Sequence, residues 1–318
     1  MKSPVLFLVF NRPDTTRQVF EAIRAAKPPR LYIAADGPRA SRDGDAERCK
    51  QVRSIATNVD WPCEVKTLFR DKNLGCKIGV SDGINWFFEN EEEGVIIEDD
   101  ILPLPSFFDY CDELLARYRH DEKVAMISGC NLVSTLYTPA NSYFFSLYNH
   151  IWGWASWRRS WKQYDVAMKT WPQWRDHGGL QKLSSGNRLF ENYWRNIFNN
   201  VHVGNIDTWD YQWTFACWKS NGLAVLPAQN LTHNLGFGPD ATHTTSGTPK
   251  YVAKSVPRPL EFPLIHPNVC KQQTDADARI EKEVLGITHI ADMKRILKTI
   301  PYINSGLRNM KALLKNGR

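Results

Sequence analysis

Three consecutive acidic residues, Glu98-Asp99-Asp100, close the apolar run Gly94-Val95-Ile96-Ile97, with no Lys or Arg adjacent in the chain. Two carboxylates about 4 Å apart repel by roughly 4 kcal/mol at an effective dielectric of about 20, so such a group favours a raised pKa or a bound cation. Carboxylate oxygens suit Mg²⁺ and Mn²⁺, and Mg²⁺ is usually held by one or two protein carboxylates, with phosphate oxygens and water completing its shell. The cluster points to a metal-bound phosphorylated ligand; a solvated acidic turn after a strand is the other reading. Asp210, within Asp207-Thr208-Trp209-Asp210-Tyr211, is a second carboxylate in a chemical setting. Thr208 is placed to cap a helix, which puts Asp210 in its first turn, where the helix dipole favours the ionised form. A carboxylate there serves as a base, or only complements the dipole.

Other candidates are less specific. Trp152 and Trp154 flank Gly153, an arrangement that suits a rigid aromatic wall for sugar rings and equally suits core packing. Lys77 falls in the first turn of a helix after Asn73-Leu74-Gly75, within reach of a diphosphate if that helix faces the ligand, or else simply solvated. Gly75, Gly79 and Gly83, four residues apart on that helix, allow close packing on a sheet or close approach of a ligand.

The elements that must position these residues alternate. Val5 to Phe10 is a continuous apolar run of buried-strand type, followed by Asn11-Arg12-Pro13 and a helix to about Ala26 with Val19, Phe20 and Ile23 on one face. Strands are expected at Leu31 to Ala35, ending at Asp36-Gly37-Pro38, at Cys63 to Phe69 and at Val95 to Ile97, with a helix from Leu74 to Asn90. Beyond the acidic group come a helix through Phe107, Cys111, Leu114 and Tyr118, and strands at Val124 to Ser128, Tyr143 to Leu147 and Leu223 to Leu226. Helical spacing covers Arg188 to Val203 and Trp209 to Ser220, so part of the Trp content is core. This pattern predicts an α/β fold with a mostly parallel, doubly wound sheet and ligands at the carboxyl ends of its strands, where Asn11, Asp36 and the acidic triplet fall.

Composition and missing motifs narrow the function. With 318 residues, 42% apolar and 23% charged, the chain has the make-up of an ordinary soluble globular protein. Its net charge of +6 is concentrated in the tail: Lys294, Arg295, Lys298, Arg308, Lys311, Lys315 and Arg318 follow one another with no acidic residue between them, leaving the rest balanced. That distribution argues against a nucleic-acid groove. Ile296, Leu297, Ile300, Ile303, Leu307, Met310, Leu313 and Leu314 recur among those basic residues, a pattern suited to peripheral membrane contact or to packing on the main domain. Seven cysteines without regular spacing give no disulfide framework or zinc motif, which fits a cytoplasmic protein, peripheral at the inner membrane face if the tail binds lipid. No Gly-x-Gly-x-x-Gly follows the first strand and no phosphate loop is present, which argues against a dehydrogenase or P-loop enzyme.

The strand ending at Asn11-Arg12, the strand ending at Asp36, the segment Val95-Ile96-Ile97-Glu98-Asp99-Asp100-Ile101 followed by Pro105-Ser106-Phe107-Phe108-Asp109-Tyr110, and then Trp209-Asp210, together resemble GT-A glycosyltransferases. The N-acetylglucosaminyltransferase I family is the nearest resemblance, with the bacterial family-two transferases as wider relatives; it extends over about residues 4 to 235. It implies a Rossmann-like nucleotide-diphospho-sugar transferase fold, with a GT-A catalytic domain at 1–255 (nucleotide-binding half 1–130, acceptor-binding half 131–255) and a C-terminal extension at 256–318. It also implies a nucleotide-sugar donor, a UDP-sugar favoured, and a glycan or lipid-linked acceptor. In that reading Asn11 and Arg12 lie by the nucleoside, Asp36 contacts the base, Glu98 and Asp99 face the nucleoside sugar or metal, and Asp100 ligates Mn²⁺ or Mg²⁺. Asp210 is then the base of an inverting displacement, with Trp209 beside it among the substrate contacts. His233, in the segment after Leu223 to Leu226, is a candidate metal ligand or a structural His, with His243 behind it, and residues 236–250 have the composition of a flap or of a surface loop. Alternatives from other classes are a sugar nucleotidyltransferase and a non-catalytic carbohydrate-binding protein.

Overall fold

The computed structural model describes residues 1–237 and 248–289. His243 and most of the expected flap, and the whole of the basic apolar tail, lie outside the described residues. Among the described residues there are ten strands: β1 (Val5–Val9), β2 (Arg30–Ala35), β3 (Glu64–Phe69), β4 (Glu93–Glu98), β5 (Ile101–Pro103), β6 (Val124–Ser128), β7 (Tyr143–Ser146), β8 (Trp154–Trp157), β9 (Leu223–Pro227) and β10 (Thr232–Asn234). Helices α1 (Pro13–Ala26), α2 (Asp45–Ala56), α3 (Gly75–Asn90) and α4 (Pro105–Tyr118) are threaded through the first half. Among the described residues no helix is long and apolar enough to cross a membrane.

Eight strands form one sheet in the order β3-β2-β1-β4-β8-β6-β9-β7, while β10 pairs with β5 in a separate two-stranded ribbon. Six of the eight run in one direction, with β8 and β7 antiparallel to their neighbours. The fold is therefore the mostly parallel α/β type that the strand and helix periods predict. Both faces of β1 are covered, which is why its sequence is continuously apolar. Val5, Phe7 and Val9 pack with Phe20 and Ile23 of α1, Val52 of α2 and Leu114 of α4; Leu6 and Leu8 pack with Ile84 and Phe87 of α3.

Two elements depart from the expected pattern. Helix α2 has a buried face of Asp45, Cys49, Val52 and Ala56, a helical spacing concealed by an acidic first member. Strand β8 inserts between β4 and β6, pairing Ile96 with Trp154 and Met126 with Ser156. Trp154 is therefore a sheet residue with no exposed surface, and not half of an aromatic wall. Residues 255–289 return to the same core: Gln272 bridges Phe145, the Asp277 carboxylate accepts from the Leu147 N–H at 3.0 Å, and Ile280 is fully buried.

The glycines of α3 divide: Gly75 and Gly79 face a cleft, and Gly83 faces the sheet. A Cβ on Gly83 would lie 3.0 Å from Leu8 Cδ2 and 3.1 Å from Ala34 Cβ, so that residue sets how closely α3 approaches the sheet. Gly94 of β4 is tighter, because a Cβ there would enter the Phe87 ring and come 2.9 Å from the Pro4 carbonyl oxygen. Replacing Gly94 by Ala is expected to destabilise the protein by about 1–3 kcal/mol through overpacking. Urea denaturation should show a lower midpoint with an unchanged slope.

Candidate active site

A cleft of about 750 Å³ opens at the carboxyl ends of β1, β2 and β4. Its walls include Arg12, Asp36, Glu98, Asp99, Asp100, Trp152, Trp209 and Asp210, all singled out from the sequence, as well as Gly75, Gly79 and Thr208. Sheet topology explains the convergence, since strands that run in parallel bring the residues following each of them to one edge.

The acidic triplet is organised by a residue far away in sequence. Arg12, at the start of α1, pairs its Nη1 with Asp100 Oδ2 and lies 3.9 Å from Asp99 Oδ1. No Lys or Arg adjoins the triplet along the chain, but parallel β1 and β4 end side by side and so bring Arg12 to it. Asp99 is buried and its Oδ2 accepts the Phe10 N–H at 2.9 Å. The Glu98 side chain makes no hydrogen bond among the described residues, while its backbone belongs to the β1–β4 ladder. Burial raises the Glu98 pKa, and the charges of Asp100, Asp99 and Asp210 add to that, against the opposing pull of Arg12. Burial and then Asp100 raise Asp99 likewise, with Arg12 and the Phe10 N–H opposing.

Asp36 is committed to the chain. Its carboxylate accepts from the N–H groups of Gly37 (2.8 Å), Leu74 (2.9 Å) and Gly75 (3.1 Å) and from Asn73 Nδ2 (2.9 Å), tying the end of β2 to the start of α3. These donors use its acceptor capacity, so at the cleft wall it positions α3. Asn11 does not line the cleft; its Nδ2 donates to Asp45 Oδ1 at 2.7 Å. Lys77 is also outside the wall, since α3 presents Cys76, Gly79 and Val80 to the cleft and turns position 77 away.

On the opposite wall, Asp210 begins the helix Asp210–Lys219 and accepts a hydrogen bond from the Thr208 hydroxyl on Oδ1. Trp209, not Thr208, occupies the cap position. Trp209 stacks on Trp154 at 6.1 Å, and Trp154 lies 5.7 Å from Trp213, so the helix is set into an aromatic core behind the cleft. Trp152 is half-buried in the cleft, with Phe237 edge-on at 5.7 Å.

His233 is exposed and does not reach the cleft. It pairs with Leu102 in the β10 and β5 ribbon, and strand alternation sends its neighbour Asn234 to the cleft instead. The chain then turns close over the triplet: the Leu235 N–H donates to the Asp100 carbonyl at 2.7 Å, and Gly236 abuts the Asp100 carboxylate so closely that a Cβ would collide with it. Sequence reasoning missed Arg39, Asn73, Asp207 and Asn234 as wall residues; Arg39 and Asn73 follow β2 and β3, where the same strand-end rule would have found them.

Among the described residues no group of three or more His, Cys, Asp or Glu side chains is arranged as a metal cage. Among the described residues the cleft has an excess of negative charge, since Asp36, Glu98, Asp99, Asp100, Asp207 and Asp210 face Arg12 and Arg39 as the guanidinium groups in its wall. Glu98, and the Asp100 oxygen not paired with Arg12, fit a divalent ion of the kind that takes one or two protein carboxylates and completes its shell from a phosphorylated ligand.

No protein-family model and no curated relative matches the chain. Among solved structures it is similar to HddC from Yersinia pseudotuberculosis, at 8% identity over 54% of this chain and 86% of that one, with a TM-score of 0.31. It is also similar to apo-UDP-glucose pyrophosphorylase, at 9% identity over 80% of this chain and 97% of that one, with a TM-score of 0.37. A UDP-glucose pyrophosphorylase complexed with UDP-glucose matches 46% of this chain and 63% of its own at 13% identity, with a TM-score of 0.26. The class defined by the chain's own sheet is a Rossmann-like α/β fold with its cleft at the carboxyl edge.

Carboxylates whose pKa is raised on folding bind protons more tightly in the folded protein than in the unfolded chain. They add stability at low pH, and that contribution falls as pH rises above the ordinary carboxylate value of about 4 and through the raised values of Glu98 and Asp99. In metal-free buffer the melting temperature is expected to fall across that range more steeply for the parent than for Glu98→Gln, which should be the more stable of the two at neutral pH. Equal slopes in the two proteins would contradict the account.

Proposed function

We propose that the protein is a glycosyltransferase that moves a monosaccharide from a nucleotide-sugar donor, preferably a UDP-sugar, to a hydroxyl of a glycan or lipid-linked glycan, with inversion. The observation that carries this reading is that Asp210 and the Arg12-bound acidic triplet line one cleft. A triplet able to hold a cation supplies a donor end, and a carboxylate oriented by a neighbouring hydroxyl supplies a base.

In the proposed reaction Asp210 takes the proton of the acceptor hydroxyl, and the Thr208 hydroxyl fixes the carboxylate's orientation. The acceptor oxygen bonds to the anomeric carbon while the bond from that carbon to the diphosphate oxygen breaks, and the diphosphate leaves with the electron pair. Arg12 keeps Asp100 and Asp99 in place; Trp152 and Phe237 give the sugar an apolar wall that excludes water. Asp100 and Glu98 would hold Mn²⁺ or Mg²⁺, which when bound neutralises charge on the leaving diphosphate. Asp36 acts indirectly, by fixing the start of α3.

The test is product formation from a panel of nucleotide sugars with glycan acceptors. Asp210→Asn is expected to lower kcat at least about 100-fold while donor affinity stays within about threefold, as removal of a general base does. Unchanged turnover in a folded Asp210→Asn protein contradicts the assigned base. Nucleotide-sugar synthesis from a nucleoside triphosphate and a sugar 1-phosphate, with no transfer to any acceptor, would make the protein a sugar nucleotidyltransferase.

A further inference from the structure

Asp45 opens α2 and is almost completely buried, at 1% exposure, yet it is not left to a single partner. Arg39 grips it bidentately, with Nε 2.7 Å from Oδ2 and Nη2 3.0 Å from Oδ1. The Arg39 backbone N–H donates to Oδ2 at 3.2 Å, and Arg48 Nη2 and Asn11 Nδ2 each donate to Oδ1 at 2.7 Å. Two guanidinium groups on one carboxylate exceed what charge balance needs, so the cluster keeps a net positive charge. Arg39 also lies over the Phe10 ring, with its guanidinium carbon 5.1 Å from the centroid, and both residues line the cleft. One edge of the guanidinium is thus fixed by Asp45 and one face by the ring, while its Nη1 donates to no other group among the described residues. Asp45 is held ionised, well below the usual carboxylate range, chiefly by the Arg39 contact.

We infer that Asp45, Arg39 and Arg48 form an anion seat at the β1 and β2 end of the cleft, at which Arg39 receives a phosphate oxygen of the nucleotide. Asp45 is the positioning residue that holds the fork. The inference deepens the proposed function and rests on it for the identity of the nucleotide. Its physical ground is the charge map of the cleft. Arg12 is engaged with Asp99 and Asp100, and the remaining charged wall residues among those described are carboxylates, so within the described wall a ligand bearing negative charge meets surplus positive charge at Arg39. A pre-oriented guanidinium matches phosphate oxygens and loses little freedom on binding. A carbonyl oxygen of the base would use the same donors, and an uncharged nucleoside separates the two sources.

The experiment is calorimetric titration of the full chain with UDP, uridine and inorganic pyrophosphate at fixed ionic strength and fixed Mg²⁺, for the parent, Arg39→Gln, Arg39→Lys and Asp45→Asn. Thermal melting establishes that each variant is folded; Arg39, partly exposed, is the variant least exposed to misfolding. Arg39→Gln is expected to weaken UDP and pyrophosphate about tenfold or more and to leave uridine within twofold. Arg39→Lys should recover part of the loss, and folded Asp45→Asn should resemble Arg39→Lys. Unchanged UDP affinity in Arg39→Gln overturns the seat, and so does a uridine loss equal to that of UDP. A parent that binds pyrophosphate through Arg39 but no UDP keeps the seat and ends the nucleotide-sugar reading, whereas a parent that binds neither ends the seat.

Discussion

Like charges gathered at the end of β4 are the constraint around which the cleft is built. Glu98, Asp99 and Asp100 are brought to the inner edge of a covered sheet, where carboxylates are costly unless each has a counter-charge or a hydrogen-bond donor. The fold meets part of that cost from β1, whose end supplies the Phe10 N–H to Asp99 and, two residues on, the Arg12 guanidinium to Asp100. Parallel pairing of β1 with β4 is what makes those contacts reachable. Gly236 then closes over Asp100 where no side chain would fit. The Glu98 side chain is left without a hydrogen bond among the described residues, and burial together with the neighbouring carboxylates raises its pKa.

The second half of the chain acts as a frame for the far wall. Its tryptophans are mostly structural: Trp154, Trp161 and Trp213 pack behind the cleft against Trp209 of its wall, with Trp161 Nε1 bonded to Asn85 at 2.7 Å and so joined to α3. Trp209 stacks on Trp154 just before the helix begins and Trp213 packs on the same ring one turn on, which fixes the start of the helix that carries Asp210 on the wall opposite the triplet. In the proposed function this rigidity keeps base and donor at a fixed separation.

Much of the sheet was legible because buried parallel strands are written as continuous apolar runs, as in Val5 to Phe10 and Val95 to Ile97. Strand β8 escaped because Trp154 to Trp157 has no such signature, and its insertion between β4 and β6 is decided by tertiary pairing. Helix α2 escaped because Asp45 stands at a core position and is tolerated there only through Arg39 and Arg48. The acidic triplet and Asp210 were readable as residues in chemical settings, and the strand-end rule placed Asp36 at the cleft. Their partners were not readable: Arg12 lies 88 residues from Asp100, and nothing local signals such a contact. His233 shows the finer limit, since a one-residue step along a strand reverses the side on which a side chain emerges.

Under the proposed function, the cleft's excess negative charge admits a phosphorylated ligand only when a divalent cation enters with it. Measuring the melting temperature of the parent protein with UDP, in Mn²⁺ and then in EDTA, tests this directly. The account predicts a rise with UDP and Mn²⁺ together and none with UDP in EDTA. An equal rise in both conditions would show that Arg12 and Arg39 suffice for the diphosphate, and would contradict the claim.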